Sequence, residues 1–421
     1  MNRRAFLAAC SVGIGGLAGC NSLSGLGSDE SPDVDTRSLA AEFEPVAPPA
    51  TPFTAESITE RVRAHEQRAA ELLAEVPADP SIPNEAVRER LDTERPETAP
   101  AATPPADESA MRWLDEWRGH RSRTATVWGI YRAATGTDDN TLVTERRRTV
   151  RRELGAVSGD MPYRGPDPIA AALSHAPIEG LLRESHTYVQ PRRAFPEDPV
   201  AAPFRAGEII GDIERARGAL ADARTLVPDE GEANWATLAR GAGRLRSSIG
   251  TTTDGLEPYL DRRSDAFGFE LTGTDRRLFR EGVTALEYQR RDSRAARDDG
   301  RYATAVLQTG RALVSAEVLS AVVTGIRDGR FPDEPSADEL RAAATAARTA
   351  LSDREQTPDA GLAEALIRLA VYRQRGVIEE MADGYRNSAA AFAEFTHAAM
   401  HARGVPAATE YILAQVPQRD D

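Results

Sequence analysis

Glu394, His397 and His401 form the sharpest chemical pattern in this sequence, three potential metal ligands at i, i+3 and i+7. On a helix this spacing puts them on one face, where His pairs at i, i+4 can chelate a metal. Glu-x-x-His is also half of the dicarboxylate pattern of helical bundles. No second Glu-x-x-His occurs in the chain. The three residues fall opposite Phe392, Phe395 and Ala399, the stripe expected to face the core. They therefore read first as a solvated polar face, with a divalent metal site as the alternative.

Three other groups could carry chemistry. His175, Glu179, Glu184 and His186 flank Pro177, which is expected to break the helix and its register. Trp113, Trp117, Trp128 and Tyr131 share a helix with His120, and Trp117 and Trp128 lie at nearly one azimuth. Such a stripe either fills a core or lines a ligand groove. Arg146, Arg147, Arg148, Arg151 and Arg152 are a dense cationic run in an acidic chain. Glu145 and Glu153 offer local pairing. The alternative is an anionic ligand held by Arg147, Arg148 and Arg151. No Gly-rich phosphate loop, nucleophile elbow or zinc-protease motif is present.

The elements that must position these residues read as helices. Apolar positions recur with the helical period over about 54–76, 84–92, 108–134, 139–157, 167–188 and 203–226. The pattern continues near 231–262, 275–299, 301–327, 336–354, 359–384, 387–403 and 406–415. Asp, Ser, Thr, Gly or Pro marks most joints, as helix ends require. Alternating β-branched runs that would announce strands are missing. The expected fold is all-α, an irregular multi-helix bundle. Gly300, Tyr302, Ala305, Ala312 and Leu313 resemble the second helix of a tetratricopeptide repeat. Gln289, Asp292 and Ser293 depart from the helix that should precede it, and no second copy follows. Ala305 to Ile326 is the most apolar stretch outside the leader, and Arg311 and Glu317 mark it as a core helix rather than a membrane span.

The chain opens with Arg3-Arg4, a short apolar run containing Gly13, Gly15 and Gly16, and then Leu17-Ala18-Gly19-Cys20. The run is too short to span a bilayer, which needs about 20 apolar residues. Paired arginines before such a run resemble a twin-arginine export signal. The four residues ending at Cys20 resemble a lipobox, in which the chain is cut before the cysteine and a lipid is joined to it. Asn2 and Ala8 depart from the usual export pattern. All 52 basic residues are arginine, acidic residues number 66, and the net charge is −14. In molar salt the Debye length is about 3 Å, so like charges on such a surface hardly repel. Leader and composition together resemble exported lipoproteins of haloarchaea. The resemblance implies a place and not an activity.

Cys10 and Cys20 are the only cysteines. The first leaves with the signal and the second would carry the lipid, so no thiol remains for a disulfide, a nucleophile or a metal. The negative charge argues against nucleic acid as a partner. The expected organisation is a signal peptide over 1–19 and a lipidated flexible tether over 20–53. Helical regions over 54–195 and 196–421 would follow. The expected role is a membrane-anchored, non-enzymatic binding or scaffold protein on the outer face of the cell membrane. Its partner would be a protein or small molecule, with no cofactor. A metal-binding or carboxylate-based enzyme using Glu394, His397 and His401 is the alternative.

Overall fold

A computed structural model describes residues 34–96, 99–103, 109–137, 140–159, 161–261, 263–353 and 357–416. Arg3, Arg4 and Cys20, with the whole expected signal and the tether up to residue 33, lie outside the described residues. The helices in chain order are α1 Thr36–Ala40, α2 Ala55–Ala74, α3 Glu85–Glu94, α4 Ala110–Ala134 and α5 Asn140–Gly159. Next come α6 Pro168–Val189, α7 Pro203–Leu226, α8 Trp235–Thr253, α9 Glu257–Asp261 and α10 Gly273–Asp298. The last four are α11 Tyr302–Arg327, α12 Ala337–Ser352, α13 Ala360–Ala382 and α14 Ser388–Gln415. The fold is all-α. Among the described residues the strand content is one antiparallel pairing, Arg164 with Ala233 and Gly165 with Glu232.

Local chemistry sets the helix ends. The Thr54 side chain accepts from the Ser57 amide and Ser57 reaches back to Thr54, a capping box repeated by Ser336 and Glu339. Ser109, Asp359 and Asn387 cap α4, α13 and α14 in the same way. Gly300, at φ 74°, ends α10 in the left-handed region and allows α11 to start two residues later. Two prolines do not do what the sequence suggests. Pro177 lies inside α6 and Pro406 inside α14, so Ser388–Gln415 is one helix rather than two. Each proline forfeits a backbone hydrogen bond, and packing on both sides offsets the loss: Ile178 and Leu181 are buried, as are Val405 and Ala407.

The chain divides into two units. The first comprises Thr51–Gly165 and Ser174–Ala233, so α7 belongs with the N-terminal helices and the expected boundary at 195 moves to 233. Packing gives the reason. Residues Gly207, Gly211, Glu214, Gly218 and Asp222 make one stripe of α7, and it lies antiparallel on α4 at backbone distance. A Cβ on Gly207 would sit 2.7 Å from the Thr126 carbonyl oxygen, and one on Gly211 would sit 3.1 Å from that of Ser122. Beside this seam Leu72, Val76, Trp128, Ile130, Val143, Phe195, Ile209, Ile210 and Ile213 share one apolar core.

The second unit comprises the N-terminal segment up to Ala50, residues Pro166–Leu173 and the chain from Asn234. Its central helix is α11. By length and composition α11 could cross a membrane, yet 72% of its most apolar window is buried in the fold. It pairs with α10 across the Gly300 turn, where Gln289 and Ser293 are buried and Ser293 Oγ meets Thr309 Oγ1 at 2.6 Å. The residues that depart from a tetratricopeptide pattern thus have a packing role in this hairpin.

Residues 34–50 correct the expected tether. Thr36 donates to the Arg386 carbonyl at 2.7 Å, and the Gln374 side chain accepts from the Val46 amide at 3.0 Å and donates to the Glu44 carbonyl. Arg368 donates to the Ala50 carbonyl, and the Phe43 ring packs edge-on against Phe395. After α1, Pro45, Pro48 and Pro49 bring no backbone donors, and α13 supplies partners for backbone groups at Glu44, Val46 and Ala50.

The α4–α7 seam predicts a specific sensitivity. Gly207→Ala should lower stability by about 1–3 kcal/mol, the usual cost of overpacking. Gly180→Ala, where an added Cβ meets nothing within 4 Å, should be neutral or slightly stabilising. Denaturant unfolding of both variants checks this, and equal midpoints would refute the seam.

Candidate functional site

The arginine run on α5 forms an open hollow with a cationic lining. Val143, Val150 and Leu154 bury one face of α5, which turns the arginines of the other face outward. Thr144, Arg147, Arg148, Arg151, Arg152 and Pro191 line a hollow of about 560 Å³. Arg147 is half-buried, and its Nε is buried with no hydrogen-bond partner. Burial, and then the neighbouring Arg151 charge, lowers the Arg147 pKa. The expected internal pairing does not occur at these four residues, none of which forms an ion pair among the described residues. Glu153 instead pairs with Arg224 of α7 at 2.8 Å. Arg151 approaches only the Val189 carbonyl, at 3.5 Å. Arg147 feels the charge of Asp212, whose pKa is raised by burial and only partly restored by Arg192 and Arg147.

Arginines in the interior of the same unit are fully engaged. Asp222 is inaccessible to solvent and receives His65 Nε2 at 2.9 Å, Arg61 Nε at 2.9 Å and Arg118 Nη1 at 2.9 Å. Arg118 also grips Glu184, with Nε at 3.1 Å and Nη2 at 2.8 Å. Arg215 binds Glu184 and Asp115 alongside it. Glu214, also inaccessible, takes two donors from Arg121 and one from Arg217. Burial pushes the pKa of Asp222 upward, but the hydrogen bond and charge of His65, followed by Arg118 and Arg61, hold it below the usual value. For His65 burial prevails over Asp222, so its pKa is lowered. The sequence analysis missed this network. Its visible trace was two acids, Glu214 and Asp222, on the same helical stripe as three glycines.

The Glu394 group is buried rather than solvated. Glu394, His397 and His401 are all under one-tenth exposed. The reason is that α14 is enclosed on several sides, so the polar stripe opposite Phe395 also meets protein. Glu394 accepts from Arg373 Nη1 at 2.7 Å, and the same guanidinium holds Glu281 at 2.6 Å. His401 Nε2 donates to the Leu366 carbonyl at 3.0 Å. Neither ring nitrogen of His397 has a partner. Among the described residues no group of three or more His, Cys, Asp or Glu side chains is placed to hold a metal ion. The arginine has taken the carboxylate that a cation would need.

The aromatic stripe belongs to the core. Trp113 and Trp117 both donate their indole N–H to the Ala101 carbonyl, at 2.8 and 3.2 Å. Trp128 donates to Glu75 at 2.7 Å and lies under the guanidinium groups of Arg132 and Arg146. Trp117 and Trp128 therefore do not line a groove. Unbroken α6 brings Glu179 to Tyr163, whose hydroxyl donates at 2.6 Å, while Glu184 joins the interior network.

Comparison with known proteins follows the same division. Residues 60–228 match a family described as Domain of unknown function (DUF8262), and residues 235–414 match one described as Domain of unknown function (DUF8264). No curated protein and no solved structure matches the chain. The first match contains the arginine hollow and the interior ion network. The second contains Glu394, His397 and His401.

Burial of neutral histidines has a consequence for stability. His401 is held at about 4, by burial first, and His397 is pushed well below its usual value by burial and then Arg373. Below about pH 6.5 the unfolded chain binds protons at these sites that the native chain refuses, so stability falls as pH drops. His401 alone accounts for a loss on the order of 3 kcal/mol between about pH 6.5 and 4. Asp222 adds a loss in the same direction as pH falls from the ordinary carboxylate range through its lowered native value. Urea titrations across this range should show a steadily falling midpoint, and a flat profile would contradict the buried neutral assignment. Separately, Asp222→Asn should cost about 3–5 kcal/mol, because it leaves Arg118 and Arg61 facing a lost charge in the interior.

Proposed function

We propose that this protein is a non-enzymatic, lipid-anchored binding protein on the outer face of the cell membrane, exported by the twin-arginine route and joined to lipid at Cys20. Its receptor element is the hollow on α5, which takes an anionic ligand. The single observation that supports this reading is the contrast between arginines of one unit. Arg118, Arg121 and Arg215 are saturated by carboxylates, whereas Arg147, Arg148, Arg151 and Arg152 line open space without an ion pair among the described residues. A guanidinium presents a rigid fork of donors suited to oxyanions. Four of them side by side, with Arg147 half-buried, present a set of donors that a single anionic ligand can engage together.

Two measurements test the reading. Cys20→Ser should move the protein from the membrane fraction to the soluble fraction, and retention in the membrane would remove Cys20 as the attachment point. A panel of oxyanions and carboxylates should contain at least one member that raises the unfolding temperature. At 100 times its Kd, a ligand stabilises by about 2.7 kcal/mol. Combined Gln substitutions at Arg147, Arg148, Arg151 and Arg152 should abolish that rise. A panel with no stabilising member would overturn the binding role.

A further inference from the structure

Resting on the reading of the α5 hollow as an anion receptor, the geometry points to a ligand class: we propose that it takes a compact molecule bearing at least two linked phosphoryl groups. By helical spacing the four arginines fall into two i, i+4 pairs, Arg147 with Arg151 and Arg148 with Arg152. Residues at i, i+4 on a helix are neighbours, with Cβ atoms about 5–6 Å apart. Each pair can therefore converge on one oxyanion, and the two pairs sit side by side. A single oxyanion would leave one pair unused.

Charge and size lead to the same class. Four guanidinium groups and no carboxylate line the hollow, so it suits a ligand carrying several negative charges. Its volume of about 560 Å³ exceeds the needs of one oxyanion and falls within the usual range for small-molecule sites. The lining holds no aromatic side chain, which leaves a nucleobase nothing to stack on. Arg147 Nε supplies an independent sign. It is buried and unpartnered on a residue that lines the hollow, and a buried donor left unmade costs about 1–3 kcal/mol. Thr144 adds a hydroxyl at the rim, on the N-terminal side of the arginines. Phosphoryl oxygens offer several acceptors per group and match the guanidinium fork.

The phosphoryl groups could arrive on a soluble molecule or on a lipid headgroup, and the experiment separates the two. The full chain is titrated calorimetrically with pyrophosphate, with citrate as a carboxylate of comparable charge. Sedimentation with phosphatidylcholine vesicles, with and without phosphatidylinositol bisphosphate, forms the second arm, using the Cys20→Ser protein. Both arms run at about 1 M salt, where screening to about 3 Å removes diffuse attraction and leaves contact pairs. The expected result is saturable 1:1 binding of pyrophosphate, weakened at least about tenfold (about 1.4 kcal/mol) by Arg151→Gln, an exposed position. Arg147→Lys keeps the charge and removes the fork, so it should weaken binding similarly while far-UV circular dichroism stays unchanged. Binding only to bisphosphate-bearing vesicles, with the same sensitivity to both variants, supports the lipid-borne source. Citrate binding as tight as pyrophosphate overturns the phosphoryl class and leaves the receptor role standing. No binding by any probe overturns both. Affinity unchanged in Arg147→Lys would show attraction by charge alone and would overturn the site.

Discussion

Asp222 carries a full charge with no access to water, and much of the first unit is arranged around that constraint. A carboxylate in such a place is tolerable only when paired and hydrogen-bonded on both oxygens. Arg61 and His65 come from α2 and Arg118 comes from α4, while Asp222 itself lies on α7. Three helices must therefore meet closely at one point. The glycines of α7 permit this by bringing its backbone against α4, so that short reaches suffice. Gly218 faces both Arg118 and His65, and a Cβ there would meet them at 3.1 and 3.2 Å.

The same constraint explains why arginine serves this interior. One guanidinium can serve several carboxylates at fixed angles, as Arg118 does with Asp222, Glu184 and Asp115. A lysine ammonium offers no planar fork and loses its charge more readily when buried. In the second unit Arg373 plays a parallel part, bridging Glu281 of α10 and Glu394 of α14 from α13. What resembles half of a metal site in the sequence is there an ionic tie between helices. The burial that makes the tie necessary also raises the Glu281 pKa, with the nearby Glu394 adding to the effect.

Against this background the α5 hollow stands apart. Interior arginines of the first unit, Arg118, Arg121 and Arg215, are matched with acids, while those on α5 are grouped with one another. Charge matching inside stabilises the fold. Like charge gathered at an open surface does the opposite unless a ligand supplies the missing anions, and this contrast gives the surface its functional reading.

Helical periodicity made nearly every helix of this protein legible in the sequence, because local hydrogen bonding and the spacing of apolar residues are properties of consecutive residues. It also exposed the arginine run, since Arg147 and Arg151, and likewise Arg148 and Arg152, are helical neighbours at i, i+4. Several matters depended on distant parts of the chain. Pro177 and Pro406 end helices by local rules, yet packing carries α6 and α14 through them. Residues 34–50 lack periodicity, yet side chains more than 300 positions away, Gln374 and Arg368, hold their backbone. The polar face of Glu394, His397 and His401 was correctly placed on one side of α14, but whether water or protein covers that side depends on other helices. An azimuth is set by the helix itself, and burial by its neighbours. For that reason the sequence alone determined which residues share a face, and only the tertiary structure decided which charges are paired within the fold and which are left for a ligand.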